Sequence, residues 1–323
     1  MDLKVSDYSS DRSEITPRVE KVIILGAGPA GMSAALYAAR AELSPLVITG
    51  LQIGGQAAIT HTIENYPGFP SGVHGQELSE LFQKQAENFG ARFEFDSVTN
   101  VDFSSRPFKV VTYGGVLSSE TIILSTGAAA NKLKVPGERD LTGKGVSYCG
   151  TCDGWFFKDK QVVVVGGGDS ALEEALFLTR YVKSVNIIHR RNELRAGVIL
   201  ENRAKSNPKI SFTWDTVLTG IVGDKAVTSV MTKNIKTGTD AEIPTDGVFI
   251  FIGHTPNTDI LNGQIVLDQK GYVKIDELMR TNIEGIYAAG EVADPHYRQV
   301  ITSAGMGAAA AIQVTRFLEE QEN

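Results

Sequence analysis

Two copies of one local pattern, about 140 residues apart, constrain this chain of 323 residues more than anything else in it. The first begins with an apolar run of strand type, Lys21-Val22-Ile23-Ile24-Leu25. It feeds Gly26-Ala27-Gly28-Pro29-Ala30-Gly31 and then an alanine-rich helical stretch from Met32 to Arg40. In the second, Gln161-Val162-Val163-Val164-Val165 leads into Gly166-Gly167-Gly168-Asp169-Ser170-Ala171 and a helix from Leu172 to Leu178. In such a unit the first glycine makes the turn and the second lets a pyrophosphate approach. The third small residue lets the helix pack on the strand. The phosphate sits at the helix N-terminus, where free N–H groups and the dipole favour an anion. One copy alone fits a tight turn in any α/β protein. Two complete copies predict an α/β chain with two Rossmann-like nucleotide-binding domains and two dinucleotides.

The residues that end the second strand of each unit separate the two ligands. A site for NAD places Asp or Glu there, to hold the ribose 2′-OH. In the second copy, Ser184 to Ile188 ends instead in His189-Arg190-Arg191, with Arg195 close behind. A 2′-phosphate needs bidentate cationic partners, which arginine supplies. The second site therefore reads as one for NADPH. In the first copy, Pro45 to Ile48 ends in Thr49-Gly50, with neither acid nor arginine, and by itself it stays unassigned.

The chain has two cysteines, and they sit three apart as Cys149-Gly150-Thr151-Cys152. Half a zinc site is one reading, but zinc wants four ligands and no second pair exists, so no metal is expected. A structural staple is another, but so short a loop constrains little of the unfolded chain. A redox pair is the third. So few cysteines suit a reducing, cytoplasmic compartment. A net charge of −7 argues against wholesale nucleic-acid binding. No apolar run approaches the ~20 residues of a membrane span. Residues 1–20 are polar and lack an apolar segment, so they read as a flexible leader and not a signal peptide.

Taken together, these residues resemble the low-molecular-weight NADPH-dependent thioredoxin reductases of bacteria and plants. The likeness covers essentially the whole chain after Glu20. Its further marks are the segments Thr49 to Gln56, Glu64 to Gly68, Ser125-Thr126-Gly127, Cys149 to Gly154 and His189 to Ala196. Gly253 to Asn257 and Ala288 to Gly305 complete it. The redox box, the arginine box and the C-terminal Tyr297-Arg298-Gln299 stretch, in this order, are highly specific.

The resemblance implies FAD in the first site and a discontinuous architecture. Residues 1–127 and 256–323 would form the FAD domain, with an NADPH domain, 128–255, inserted and carrying the cysteines. Ser125 to Gly127 and Gly253 to Pro256 would be paired hinges. FAD would meet Gly26, Gly28, Pro29, Ala30, Gly31, Thr49, Gly50, Gly54, Gly55 and Gln56. It would also meet Asn65, Val98, Thr126 and Gly127, and, toward its flavin end, Gly290, Glu291, Arg298, Gln299 and Val300. Ile286 to Gly290 reads as a strand, followed by a loop and a helix from Ala304 to Leu318 whose N-terminus could point at the flavin. NADPH would take Gly166, Gly167, Gly168, Asp169, Ser170 and Ala171, with His189, Arg190, Arg191 and Arg195.

By the same resemblance, Cys149 is the outer thiol that attacks the substrate disulfide and Cys152 the inner thiol that exchanges electrons with the flavin. Asp153 is the general acid/base, although an acid there also suits a helix cap or first turn. Trp155 and Phe156 are open between core packing and gripping thioredoxin. Lys144 matches a basic contact to thioredoxin, and equally reads as a neutral surface lysine. The implied relay runs from NADPH to FAD, to Cys149–Cys152, to thioredoxin. Both the cysteines and NADPH must meet one flavin, so the inserted domain would rotate between half-reactions. A homodimer is also implied. The sequence departs from the family at Gly150, where alanine is usual, and at Glu291, where aspartate is usual. A dithiol oxidase or a ferredoxin-dependent reductase of this fold is the rival reading, and Arg190 and Arg191 argue against it.

Overall fold

The computed structural model describes residues 19–60 and 62–322. In chain order the first half contains β1 (Val19–Leu25), α1 (Pro29–Arg40), β2 (Leu46–Ile48), α2 (Gly55–Ala58), α3 (Gly75–Glu87), β3 (Arg92–Glu94), β4 (Val98–Asp102), β5 (Phe108–Thr112), β6 (Val116–Leu124) and β7 (Ala128–Ala130). Next come β8 (Val146–Ser147), α4 (Gly150–Asp153), β9 (Gln161–Val165), α5 (Asp169–Leu178), β10 (Ser184–Ile188), α6 (Val198–Ser206) and β11 (Ile210–Thr213). The chain ends with β12 (Thr216–Gly223), β13 (Val227–Asn234), β14 (Asp240–Pro244), β15 (Gly247–Ile250), β16 (His254–Pro256), β17 (Ile286–Ala288) and α7 (Val300–Glu322).

The first sheet runs β3-β2-β1-β6-β5-β4, and β17 adds beside β6. Its strands β3, β2, β1, β6 and β17 are parallel, while β5 pairs antiparallel with β6 and β4 antiparallel with β5. Val22, Ile23, Ile24 and Leu25 are all fully buried, as the unbroken apolar run requires of a central parallel strand. Helices α1 and α7 cover one face. Their small residues let them approach closely: a Cβ on Gly307 would come within 2.0 Å of the Ala30 carbonyl oxygen. The second sheet is wholly parallel, in the order β11-β10-β9-β15-β8. Helices α5 and α6 pack on one face, and the antiparallel sheet β12-β13-β14 supplies apolar residues to the other. That three-stranded layer has no signal in the glycine patterns.

The chain passes between the two sheets twice, through β7 and β16, and these strands pair antiparallel. Asn257 donates its backbone N–H to Gly127 at 3.0 Å, and Asn131 donates to Gly253 at 3.0 Å. Thr126 Oγ1 donates to the Asn257 carbonyl at 2.7 Å, and Asn257 Nδ2 returns a bond of 2.8 Å to the Thr126 carbonyl. The two glycine-bearing crossings are therefore one ribbon.

Two sequence boundaries move. The leader expectation lies mostly outside the described residues, but Val19 and Glu20 already belong to β1, in register with Ser118 and Ser119. Glu20 is buried there against Arg92, which neutralises its charge. The last helix begins at Val300, four residues before the expected Ala304. The β-branched Val300-Ile301-Thr302 reads poorly as helix, yet Ser303 N–H already bonds the Gln299 carbonyl at 3.0 Å.

Candidate active site

The first glycine turn opens into a cavity of about 860 Å³ at the carboxyl ends of the first sheet's strands. Gly28 is the N-cap of α1 and offers no side chain to it, and Pro29 occupies the first helical position. A Cβ at Gly28 would meet nothing within 4 Å, so the turn leaves room for a ligand. A Cβ at Gly31 would instead lie 1.8 Å from the Gly26 carbonyl oxygen, which sets how tightly α1 sits on β1. Pro29, Ala30, Thr49, Gly55, Gln56, Asn65, Thr126 and Gly127 all line the cavity, as do Gly26 and Gly28. Gly290, Glu291, Arg298, Gln299 and Val300 close its other end. Size, uncapped helix end and open glycine fit a dinucleotide such as FAD.

Four residues expected at FAD do not line this space. Gly31 packs beneath the turn. Gly50 N–H bonds the Asp96 carbonyl at 2.9 Å, and Gly54 N–H bonds the Ala27 carbonyl at 2.8 Å. Val98 opens β4 and packs on the core.

Cys149 and Cys152 form a disulfide, with Cα atoms 5.3 Å apart, and both line the same cavity. Cys149 is the N-cap of the short α4, and Cys152 N–H points at its sulfur at 3.2 Å. Ser147 anchors the turn. Its hydroxyl donates to Asp153 Oδ2 at 2.6 Å and accepts from Cys149 N–H at 3.1 Å. Asp153 makes no cap hydrogen bond to the following 3₁₀ turn, so its carboxylate is turned toward Ser147 and the cavity. Thr151 Oγ1 is 3.3 Å from Cys149 Sγ and 3.4 Å from Gln299 Nε2, and Asn65 Nδ2 donates to Gln299 Oε1 at 3.0 Å. The redox turn is thus tied to loops of the first sheet.

Two side chains join the far end of the cavity to the β7–β16 ribbon. Arg298 Nη1 lies 2.6 Å from His254 Nδ1 on β16. A guanidinium only donates, so Nδ1 accepts and carries no proton. Burial first, and then Arg298, hold the His254 pKa down at about 4. Glu291 takes up the Ala128 amide of β7. Burial pushes its carboxyl above the usual range, against the pull of Arg298.

The second glycine turn lies outside this cavity apart from Ser170. Gly168 caps α5 without a side chain, and a Cβ there would also meet nothing within 4 Å. Asp169 Oδ1 accepts the Gly197 amide at 2.7 Å, and Arg195 N–H bonds the Gly167 carbonyl at 2.7 Å. These bonds draw the arginine loop against the turn, with Gly166 and Ala171 packed beneath it. Arg190, Arg191 and Arg195 are exposed and have no ion pair among the described residues. An open helix N-terminus beside three free guanidiniums fits a phosphorylated dinucleotide. His189 does not join them at the surface. It is buried under Gly167, and burial pushes its pKa down, so the ring is neutral.

The aromatic run after the cysteines divides. Phe157 is core, packed edge-on to Phe249. Trp155 is 52% exposed and Phe156 41%. With Phe177 and Tyr181, Trp155 lines a smaller cleft of about 240 Å³ beside Cys152. Lys144 is exposed on the loop before β8. Sequence reading gave no role to Thr151, although it lies between the cysteines, and missed Ser147 and Glu174, which no motif spacing marks. It also missed Glu138, a buried carboxylate that accepts the Tyr148 hydroxyl at 2.8 Å next to Cys149. No helix among the described residues is long and apolar enough to cross a membrane.

The chain matches the pyridine nucleotide-disulphide oxidoreductase family over residues 20–307. A thioredoxin reductase of Mycolicibacterium smegmatis is 48% identical over 306 residues, which is 94% of this chain and 98% of the relative. The solved thioredoxin reductase of Streptococcus pyogenes MGAS5005 is similar with a TM-score of 0.88 at 42% identity, covering 93% of this chain and 98% of that one. The Lactococcus lactis thioredoxin reductase in its FR conformation has the same 42% identity over 93% and 99% of the two chains, yet a TM-score of 0.65. A full-length match at this identity, on a fold with two glycine turns and a disulfide between them, leaves one assignment: the chain belongs to the pyridine nucleotide-disulphide oxidoreductases, alongside the thioredoxin reductases.

Proposed function

We propose that this protein is an NADPH-dependent thioredoxin-disulfide reductase. The observation that carries the reading is the Cys149–Cys152 disulfide lining the cavity of the first glycine turn, while the arginine-flanked second turn stands apart from it. FAD would lie along the N-terminus of α1, and NADPH along that of α5 with its 2′-phosphate at Arg190, Arg191 and Arg195. When bound, the two cofactors supply hydride acceptance and two-electron delivery to a disulfide.

The chain's own residues do the rest. Reduction of Cys149–Cys152 adds two electrons and two protons and breaks the S–S bond. Asp153, held by Ser147, is placed to carry a proton to or from the dithiol. The Cys149 thiolate then attacks the disulfide of thioredoxin. Cys152 resolves the mixed disulfide, which releases reduced thioredoxin and restores the bond. Trp155 and Phe156, half-exposed beside the turn, supply an apolar contact for that partner.

In the arrangement described here the disulfide faces the first cavity and the arginines do not. Delivery from NADPH needs the other arrangement, with residues 128–255 turned about the β7–β16 ribbon. The unequal TM-scores of 0.88 and 0.65 at equal identity support two such arrangements in this family. A homodimer and a cytosolic location belong to the same proposal, the latter supported by the sparse cysteines. The test is Cys149→Ser with thioredoxin added. NADPH should still bleach the flavin while thioredoxin reduction disappears; thioredoxin turnover equal to wild type would sink the assignment.

A further inference from the structure

Glycine at position 150, where the resembled family usually has alanine, has a physical reason in this fold. Gly150 is buried at the start of α4. A Cβ on it would lie 2.3 Å from Glu174 Oε2 and 3.5 Å from Leu178 Cγ, both on α5. The redox turn therefore rests directly on α5, with a carboxyl filling the one gap beneath it. Glu174 lines the same cavity as the disulfide. Its Oε2 is buried, and the carboxyl faces the amides of Gly150 and Thr151 at the start of α4. Burial pushes its pKa up, opposed first by the charge of Arg298 and then by the nearby amides of Gly150 and Thr151. A buried carboxyl held against the turn that carries a redox pair has an electrostatic effect on it, because low local polarity leaves the charge poorly screened.

We propose that Glu174 is a positioning residue for the redox turn: its carboxyl occupies the slot that Gly150 leaves open and sets the acidity of the Cys149–Cys152 dithiol. The inference rests on the redox role proposed above. Where it is ionised, a carboxylate packed under the turn disfavours a thiolate, so Glu174 keeps the reduced pair protonated until a higher pH. Gly150 admits the carboxyl, and a methyl there would displace it.

Other charged groups face this region. Asp153 lies in the turn itself, and Glu173 lines the cavity from α5. Arg298, paired with His254 and facing Glu291, approaches from the loop before α7. Glu64 lines the smaller cleft beside Cys152. They are common to every variant below, so a comparison isolates position 174.

The experiment is the pH dependence of iodoacetamide alkylation of the reduced holoprotein, which reads thiolate fraction and needs no thioredoxin. Glu174→Gln keeps the size and removes the charge. It should shift the half-maximal pH downward and raise the rate at pH 7 by about threefold or more. Gly150→Ala should shift the curve the same way by a smaller amount, and should have no effect when added to Glu174→Ala. A Glu174→Gln rate within about twofold of wild type would overturn the proposal. So would a Gly150→Ala shift of equal size with and without the Glu174 side chain. Thioredoxin turnover of the wild type tests the functional reading separately.

Discussion

The two glycine turns are written almost alike and built differently. In the first, the third small residue is Gly31, pressed onto the Gly26 carbonyl with no room for a methyl, and the turn opens into a large cleft. In the second, Ala171 takes that place, its Cβ 2.7 Å from where one on Gly166 would lie, and exposed arginines flank the turn. The difference teaches what the motif encodes. Glycine spacing specifies only a phosphate at a helix N-terminus. Ligand and duty are set by what surrounds it: a wall of loops and a disulfide around the first, a free cationic rim around the second.

Substitutions at the two turns should therefore have unequal effects. The largest effect belongs to Gly31→Val, which forces α1 off β1. Overpacking of this kind costs about 1–3 kcal/mol or more. The purified protein should lose its flavin absorbance, whereas Ala171→Gly should keep it with a stability change of about 1 kcal/mol or less. Next is the cationic rim. Arg190→Ala and Arg191→Ala should each lower the ratio of kcat/KM for NADPH over NADH about tenfold, or about 1.4 kcal/mol, leaving flavin content unchanged. An unaltered ratio would remove the argument for NADPH.

A smaller effect is expected where the first site is tied to the β7–β16 ribbon. His254 titrates in the fold at about 4, below its ordinary 6.5. The neutral ring therefore contributes stability that is present above pH 6.5 and is lost as pH falls toward about 4. His254→Asn should flatten that part of the acid limb in a chemical-denaturation series, with little change at pH 8. The smallest effect is expected at Trp155→Ala. It should raise KM for thioredoxin a few-fold, equivalent to about 1 kcal/mol, at unchanged kcat.

The parts of this molecule that were legible in the sequence are those written in neighbouring residues. Strand, glycine turn and helix follow one another in both copies, so β1–α1 and β9–α5 could be placed directly. Cys149, Cys152 and Asp153 lie within five residues of chain, and the structure brings all three to one cavity. What was hidden depends on packing between distant segments. Glu174 is separated from Gly150 by a 3₁₀ turn and a strand, and only the seating of α4 on α5 brings them together. Glu291 read as an anomaly at the flavin end; its reach to the Ala128 amide appears only once β7 is beside it. His189 read as one of a cationic cluster because it adjoins Arg190, but one residue past β10 its ring is buried under Gly167. Trp155, Phe156 and Phe157 are indistinguishable as a sequence, and the 3₁₀ turn sends only the last into the core.

In the proposed mechanism two nucleotide sites share one reaction centre by taking turns at it. Pulsed-EPR distances between spin labels at Lys84→Cys on α3 and Arg203→Cys on α6, with the native disulfide kept oxidised, test this most directly. Both positions are exposed, one on each side of the β7–β16 ribbon in chain order. The account predicts one dominant distance in the holoprotein and a second, distinct population when NADP⁺ is added. A single distance, unchanged by saturating NADP⁺, would contradict it.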